Sequence, residues 1–230
     1  MNKSSSIILG VMAAIFVGFF GWAIWHNQQF NFDINTIIAD TENSGGIAEH
    51  VEGNPDAPVL FIEYSDYQCS GCASVVDDVH DLLEKYGDKI GVVHRTYVLS
   101  YHTNGIAAAT AVEAAGLQGY WKPYGDYLFA HQDDWFYSDA TERTSQFEEY
   151  FMTVTEGRGD LDLFRKDFAG EDTKAKVNFD LKVAKQVSDD IQYTPAFFLD
   201  GEFINWAYDN PDELSFVDYF SQIIDAKLAE

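Results

Sequence analysis

The 230-residue sequence predicts an α/β domain in which a βαβ unit and a later ββα unit are separated by a block of helices. Two β-branched and aromatic runs, Val59–Tyr64 and Ile90–Leu99, flank a stretch with helical spacing. Residues 103–190 carry helical patterns without a strand pattern. Two short apolar runs then meet at Asp200-Gly201 and precede a final helix. These three observations together predict the fold class.

The βαβ unit starts after the turn-forming segment GNPDAP at 53–58. Its first strand is Val59–Tyr64, and its helix follows Cys72 and ends at Gly87-Asp88. The apolar side of this helix shows 3–4 spacing and consists of Val75, Val76, Val79, Leu82, Leu83 and Tyr86. The strand Ile90–Leu99 completes the unit, for which a right-handed crossover is expected.

The helical block and the second unit follow. Helices are predicted at 107–116, 121–132, 144–156, 160–169 and 171–189. The segment TPAFFLDGEFINWA at 194–207 predicts a tight hairpin that turns at Asp200-Gly201, and Asp209-Asn210-Pro211 predicts the start of the last helix. A βαβ half followed by a ββα half is the order of the thioredoxin fold, here with helices inserted at about 103–190.

The N-terminus carries an uncharged run, Ile7–Trp25, with four aromatic residues near its far end. As a helix it would span roughly 28 Å, close to the thickness of a bilayer core. A cleaved signal peptide, the alternative, has an apolar region of only about 7–15 residues. We therefore expect one transmembrane anchor within residues 1–26, a polar stalk at 27–46 and a folded domain at 47–230.

Charge predicts the orientation of this anchor and limits the partners. Lys3 precedes the run, and no Lys or Arg occurs from His26 to Glu84. The positive-inside rule then predicts a chain that crosses the cell membrane once, with its N-terminus in the cytoplasm and the remainder outside. Disulfides can persist in that outer compartment. The formal net charge of −24 argues against a nucleic-acid partner bound through a basic face.

The only two cysteines, Cys69 and Cys72, lie where the first strand ends and the helix begins. A structural zinc site needs four ligands, and the six histidines show no pairing that would complete one, so no metal is predicted. A structural disulfide across so short a loop would constrain the unfolded chain little. A redox pair fits best, because free N–H groups and the helix dipole favour the thiolate of Cys69. Cys72 would then release a mixed disulfide formed by Cys69.

Two separate segments, GNPDAPVLFIEYSDYQCSGCA at 53–73 and YTPAFFLDG at 193–201, resemble the DsbA-like thiol:disulfide oxidoreductases. The similarity runs from about Ile47 to the C-terminus and includes AAGLQGYW at 114–121. The resemblance implies Cys69 as nucleophile, Cys72 as resolving cysteine and a cis peptide bond at Thr194-Pro195 beside them. X–Pro is nearly the only bond where cis is cheap, and such a turn would present the Thr194 backbone to an extended client peptide.

Two further features concern the same site. Ser70-Gly71, counted with Thr194 and Pro195 as substrate-binding, replaces the Pro-His or Pro-Tyr often seen between the cysteines of this family. Acids such as Asp66 would oppose the thiolate if they lay close.

Glu63 stands six residues before Cys69, where the family often carries an acid, and we expect it to tune or relay the proton of Cys72. The alternative for Glu63 is a carboxylate in water at the edge of the strand.

The predicted function is a membrane-anchored, extracytoplasmic thiol:disulfide oxidoreductase that introduces disulfides into exported proteins and needs no bound cofactor. By family analogy, a quinone-linked membrane oxidase would reoxidise it. The same site would serve a disulfide reductase or isomerase, since direction depends on reduction potential. A tethered binding module with an inert Cys69–Cys72 bond is an alternative of a different class.

Overall fold

The computed structural model describes residues 11–22, 32–187, 191, 193–207, 209–210 and 213–230. The chain divides into two compact units, Met1–Asp33 and Ile34–Glu230. In the first unit, residues 11–22 are helical (α1) and expose large apolar side chains such as Phe16 and Phe19. The predicted membrane helix Ile7–Trp25 extends on both sides beyond these described residues. Within the described part of the chain, no helix is long and apolar enough to cross a membrane.

The second unit is built on a five-stranded mixed sheet. Its strands are β1 (His50–Gly53), β2 (Val59–Ser65), β3 (Ile90–Thr96), β4 (Ala196–Leu199) and β5 (Glu202–Ile204). Their order is β1-β3-β2-β4-β5, and β2 pairs in parallel with β3 while the other neighbours are antiparallel. The central strand β2 therefore carries Glu63 between His94 of β3 and Phe197 of β4.

Helices cover both faces of the sheet. They are α2 (Ser70–Tyr86), α3 (Gly105–Gly116), α4 (Trp121–Ala130), α5 (Gln132–Trp135), α6 (Ala140–Val154), α7 (Leu161–Phe168), α8 (Glu171–Ala184) and α9 (Phe216–Leu228). On one face, α2 and α9 pack on Val59 and Phe61; on the other, Ile62 and Tyr64 pack on the end of α8. Successive strand residues alternate between faces, so Glu63 and Ser65 lie on the α2 side of β2.

The predicted thioredoxin-like order of elements, with its inserted helices, is confirmed. The hairpin turns at Asp200 and Gly201, which both have positive φ, as a tight two-residue hairpin requires. Strand β1 was not predicted, because its short polar sequence becomes a strand only through antiparallel pairing with β3. The last helix begins at Phe216, and the Ser215 side chain caps it by accepting a hydrogen bond from the Asp218 N–H. The predicted start at 209–211 was therefore too early; Pro211 itself lies outside the described residues.

The boundary between stalk and domain also differs from the prediction of 27–46 for the stalk. Arg95 of β3 is 1% exposed, and its guanidinium donates to the carbonyl oxygens of Ile34 at 2.6 Å and Thr36 at 2.7 Å and to the Glu49 carboxylate. A buried guanidinium needs acceptors, and the segment after Asp33 supplies them. Residues 34–46 thus belong to the compact domain.

Candidate active site

The two cysteines occupy different positions at the start of α2. Cys69 is the N-cap residue, with extended backbone (φ −84°, ψ 122°), and Cys72 lies in the first turn. Both are free thiols; Cys69 is 9% exposed and Cys72 1% exposed. The sulfur with access to a partner is therefore that of Cys69.

Their protonation differs accordingly. The pKa of Cys69 is lowered to about 5, chiefly by a hydrogen bond from the Cys72 thiol, while the backbone N–H groups of Gly71 and Cys72 add to the effect and burial opposes it. Burial raises the pKa of Cys72 well above its ordinary value, and the neighbouring Cys69 raises it further. At neutral pH the site thus holds one thiolate and one thiol, which is the distribution a dithiol nucleophile requires.

The loop before β4 lies directly against this pair. The Thr194–Pro195 peptide bond is cis, and the Cys69 sulfur lies 3.3 Å from the Thr194 carbonyl oxygen. Gly71 permits this approach, because a Cβ there would lie 3.1 Å from the Thr194 oxygen and 3.5 Å from Pro195 Cδ. Ser70 is exposed at the first position of α2, whereas Thr194 is 5% exposed. The predicted residues around the cysteines are therefore brought together.

Glu63 is buried, at 5% exposure, and forms an ion pair rather than facing water. Its Oε2 lies 2.9 Å from His94 Nδ1, and His94 Nε2 lies 2.8 Å from Glu52 Oε1. Burial disfavours the charged form of His94, but the charges of Glu63 and Glu52 outweigh it and raise the pKa of His94 to about 9. An imidazolium thus stands between two carboxylates.

Glu63 does not contact the cysteines directly. The Cys72 sulfur instead accepts a hydrogen bond from the Asp66 N–H at 3.4 Å. Among the described residues, Glu63 has no hydrogen bond to either sulfur. Any effect of Glu63 on the Cys72 proton must therefore pass through other groups.

The buried environment of Asp66 was not predicted from the sequence. This carboxylate is 0% exposed; it accepts from the Leu99 N–H at 2.9 Å and pairs with His102 Nδ1 at 2.7 Å. Its oxygens are thus held by hydrogen bonds from the segment that follows β3. The order of the strands could have indicated this proximity, because the segments that leave the parallel strands β2 and β3 emerge at the same edge of the sheet.

A second missed feature ties the active-site loop to the helical block. The Gln68 side chain accepts from the Asn104 N–H at 2.6 Å and donates to the Phe136 carbonyl at 2.8 Å. Asn104 in turn donates to the Trp135 carbonyl at 3.1 Å. The residue before Cys69 is therefore held by the inserted helices, which no local sequence pattern indicates.

Similar curated proteins bear a transporter name. The chain is 31% identical over 213 residues to "Na(+)/H(+) antiporter NhaA 1" of Mycolicibacterium gilvum, covering 87% of this chain and 31% of that protein. It is 32% identical over 161 residues to "Na(+)/H(+) antiporter NhaA" of Herminiimonas arsenicoxydans, covering 70% of this chain and 24% of that protein. The chain thus spans less than a third of the length of these relatives.

Solved structures share the fold at low sequence identity. BdbD from Bacillus subtilis in its oxidised form matches with a TM-score of 0.62 and 17% identity, covering 85% of this chain and 100% of that one. The alpha-DsbA1 protein of Wolbachia pipientis matches with a TM-score of 0.58 and 22% identity, covering 77% and 89%. The catalytic domain of Proteus mirabilis ScsC matches with a TM-score of 0.59 and 16% identity, covering 79% and 90%.

These neighbours, each under 25% identical to the chain, show the fold that it shares with them. The family described as Thioredoxin matches residues 46–225, which include both cysteines, the cis-proline loop and the inserted helices. The chain belongs to the thioredoxin family.

Proposed function

We propose that this protein is an extracytoplasmic thiol:disulfide oxidoreductase that introduces disulfides into exported proteins. One observation carries the proposal: an N-cap cysteine whose pKa is lowered to about 5 lies beside a buried cysteine whose pKa is raised. A stabilised thiolate in the reduced form makes the disulfide form a better oxidant.

The reaction transfers two electrons from client to enzyme. A client thiolate attacks Cys69 of the Cys69–Cys72 disulfide, a mixed disulfide forms, and Cys72 leaves as a thiolate and takes up a proton. A second client thiolate then attacks the client sulfur of the mixed disulfide. The client disulfide forms and Cys69 leaves as its stabilised thiolate. A quinone-linked membrane oxidase is the proposed acceptor of the two electrons.

The Cys69 thiolate supports this direction by a calculable amount. At pH 7, a pKa of about 5 favours the reduced form by roughly 2.3 kcal/mol over a site with the value of about 7 typical of thioredoxin. Partial solvent access to the sulfur screens some of this energy, which leaves about 1–2 kcal/mol, or about 20–45 mV. We therefore expect a reduction potential above the roughly −270 mV of thioredoxin.

The test is the reduction potential of the full chain, measured by equilibration with glutathione buffers and acid trapping of thiols. A value above that of thioredoxin agrees with an oxidase or isomerase, and a value at or below it would make the protein a reductase. Mixed-disulfide trapping addresses the binding-module alternative. A Cys72→Ser chain that captures no client in cells, although the wild-type cysteines cycle in vitro, would contradict a role in client oxidation.

The proposed location is the cell membrane, with the N-terminus cytoplasmic and residues from the stalk onward outside. The uncharged run Ile7–Trp25 and the absence of Lys and Arg from His26 to Glu84 support it. Alkaline carbonate extraction and reporter fusions after Glu230 provide the test. Release of the full chain by carbonate, or a cytoplasmic reporter, would contradict the proposal.

A further inference from the structure

The turn that joins β2 to α2 begins at Asp66, and this residue is bonded to both cysteines through its backbone. Its carbonyl oxygen accepts from the Cys69 N–H at 2.9 Å, and its own N–H donates to the Cys72 sulfur at 3.4 Å. Its side-chain Oδ1 accepts from the Gln68 N–H at 2.9 Å. An aspartate that bonds the backbone two residues further on fixes a turn locally. The backbone just before Cys69 therefore depends on Asp66.

The same carboxyl group also reaches the loop between β3 and α3, residues 97–104. Its Oδ2 accepts from the Leu99 N–H at 2.9 Å and lies 2.7 Å from His102 Nδ1. The Asp66 side chain is 0% exposed and that of His102 8%, so solvent does not reach these contacts. We call Asp66, Leu99 and His102 the clasp.

Neighbouring groups leave the clasp little freedom to move. The His102 ring meets the rings of Tyr101 and Phe136 edge to face, with centroids 4.5 Å and 6.1 Å away. Gly105, the first residue of α3, lies against the carboxyl group, and a Cβ there would be 2.8 Å from Asp66 Oδ1. The carboxyl group is thus confined on one side by the helix and on the other by the histidine ring.

Two more hydrogen bonds join the β3–α3 loop to the same turn. The Tyr97 N–H donates to the Ser65 carbonyl oxygen at 2.8 Å, and the Asn104 N–H donates to Gln68 Oε1 at 2.6 Å. The clasp lies between these two points along the loop. The loop therefore contacts three of the four residues that precede Cys69.

We infer that Asp66 is a positioning residue, and that its clasp with Leu99 and His102 holds the turn in the conformation that keeps the two sulfurs within reach of each other. This role deepens the proposed function and rests on it, because exchange takes place at these sulfurs. In capture, the Cys69 thiolate attacks a disulfide, a mixed disulfide forms and one partner thiolate leaves. In release, Cys72 loses its proton to solvent and attacks the Cys69 sulfur; the Cys69–Cys72 bond forms and the second partner thiolate leaves. Only release requires the two sulfurs to be aligned with each other.

Two variants break the clasp from opposite sides. Asp66→Asn has a single acceptor oxygen, which cannot serve the separate N–H groups of Gln68 and Leu99 together. His102→Phe keeps an aromatic ring beside its neighbours and removes only the nitrogen that contacts Asp66. His131→Phe is the matched control, because His131 Nδ1 lies 2.9 Å from the Tyr127 carbonyl oxygen within the helical block, outside the clasp.

The first measurement is the pKa of Cys69, taken from the absorbance of the thiolate in the reduced full chain. We expect both clasp variants to raise this pKa by about 0.5–1 pH unit, because the sulfur is held less firmly against its hydrogen-bond donors. A carboxylate that acted only as a nearby charge would oppose the thiolate, so Asp66→Asn would then lower the pKa. A lower pKa in Asp66→Asn, or an unchanged one in His102→Phe, would overturn the inference.

The second measurement follows oxidised glutathione added to the reduced full chain, with acid quenching and mass spectrometry to resolve capture from release. In both clasp variants, capture above the pKa of Cys69 should stay within about threefold of wild type. Release should slow roughly tenfold, because the two sulfurs meet less often at bonding distance. His131→Phe should match wild type in both steps. A role in stability alone would lower the urea midpoint and leave release by the folded chain unchanged, and that result would overturn the inference.

Circular dichroism and the urea midpoint establish that each variant is folded before its rates are compared. If Asp66→Asn does not fold, His102→Phe decides, because it leaves the hydrogen bonds of Asp66 to Gln68, Leu99 and both cysteines in place. A wild-type chain that captures no glutathione refutes the proposed function and this role of Asp66 with it. Capture and release by wild type, with unaltered release in His102→Phe, refute the positioning role alone.

Discussion

The Cys72 thiol contributes most to the low pKa of Cys69, and this dependence can be tested by a matched pair of substitutions. Cys72→Ala removes the hydrogen-bond donor, whereas Cys72→Ser replaces it with a hydroxyl of similar size. Hydrogen bonds to charged groups contribute about 1.5–3 kcal/mol, and a thiol is a weak donor, so the lower figure applies. At 1.36 kcal/mol for each pH unit, Cys72→Ala should raise the pKa of Cys69 by about one pH unit.

The assay is the ultraviolet absorbance of the thiolate, followed against pH in the reduced full chain. Wild type should show one transition near pH 5, because the pKa of Cys72 lies well above that range. Cys72→Ser should titrate close to wild type, and Cys69→Ser should show no transition there. If Cys72→Ala titrates like wild type, the thiolate is stabilised without the Cys72 thiol, by Thr194 and the backbone N–H groups of α2, and the role given to Cys72 is refuted.

Three further predictions concern stability. The reduced chain should become more stable relative to Cys69→Ser as pH rises from about 5 to 9, because the folded pKa of Cys69 is about 5 and its ordinary value is 9.0. Urea unfolding at several pH values measures this, and a flat difference would contradict it. Arg95→Met leaves Glu49 buried without its partner and should cost about 3–5 kcal/mol of unfolding free energy in the same assay. Gly45→Ala should lower the free energy of unfolding by about 1–3 kcal/mol, because Gly45 has φ +62° and a Cβ there would overlap the Asp172 carbonyl. A loss below about 0.5 kcal/mol would show that the segment relaxes to accept the Cβ.

Strong local patterns predicted most of the fold. The β-branched runs, the 3–4 spacing after Cys72 and the Asp200-Gly201 turn are each encoded within a few residues, so β2, β3, α2 and the hairpin follow from sequence. Strand β1 could not be predicted in this way, because His50–Gly53 pairs with β3 across a long stretch of chain. The start of the domain at Ile34 was missed for a related reason, since it depends on the buried Arg95 of a distant strand.

The residues of the candidate site likewise include some that the sequence indicated and others that only the folded chain brings together. Spacing alone indicated Cys69 and Cys72 at a strand-to-helix junction, and the resemblance to DsbA-like proteins added Thr194, Pro195 and Glu63. The sequence could not show that His94 pairs with Glu63 or that His102 Nδ1 lies within hydrogen-bond distance of Asp66. Each of these partners comes from another strand or loop, and only the folded sheet sets their distances.

By itself, then, the sequence determined the cysteine pair at the strand-to-helix junction, the order of the strands and helices and the uncharged N-terminal run, because each is encoded by neighbouring residues. Only the tertiary structure decided how the two thiols differ. Cys72 is buried behind Cys69, and the Thr194 carbonyl oxygen lies 3.3 Å from the Cys69 sulfur. Burial and proximity between distant segments produce the difference in pKa, and neither is visible in a linear chain.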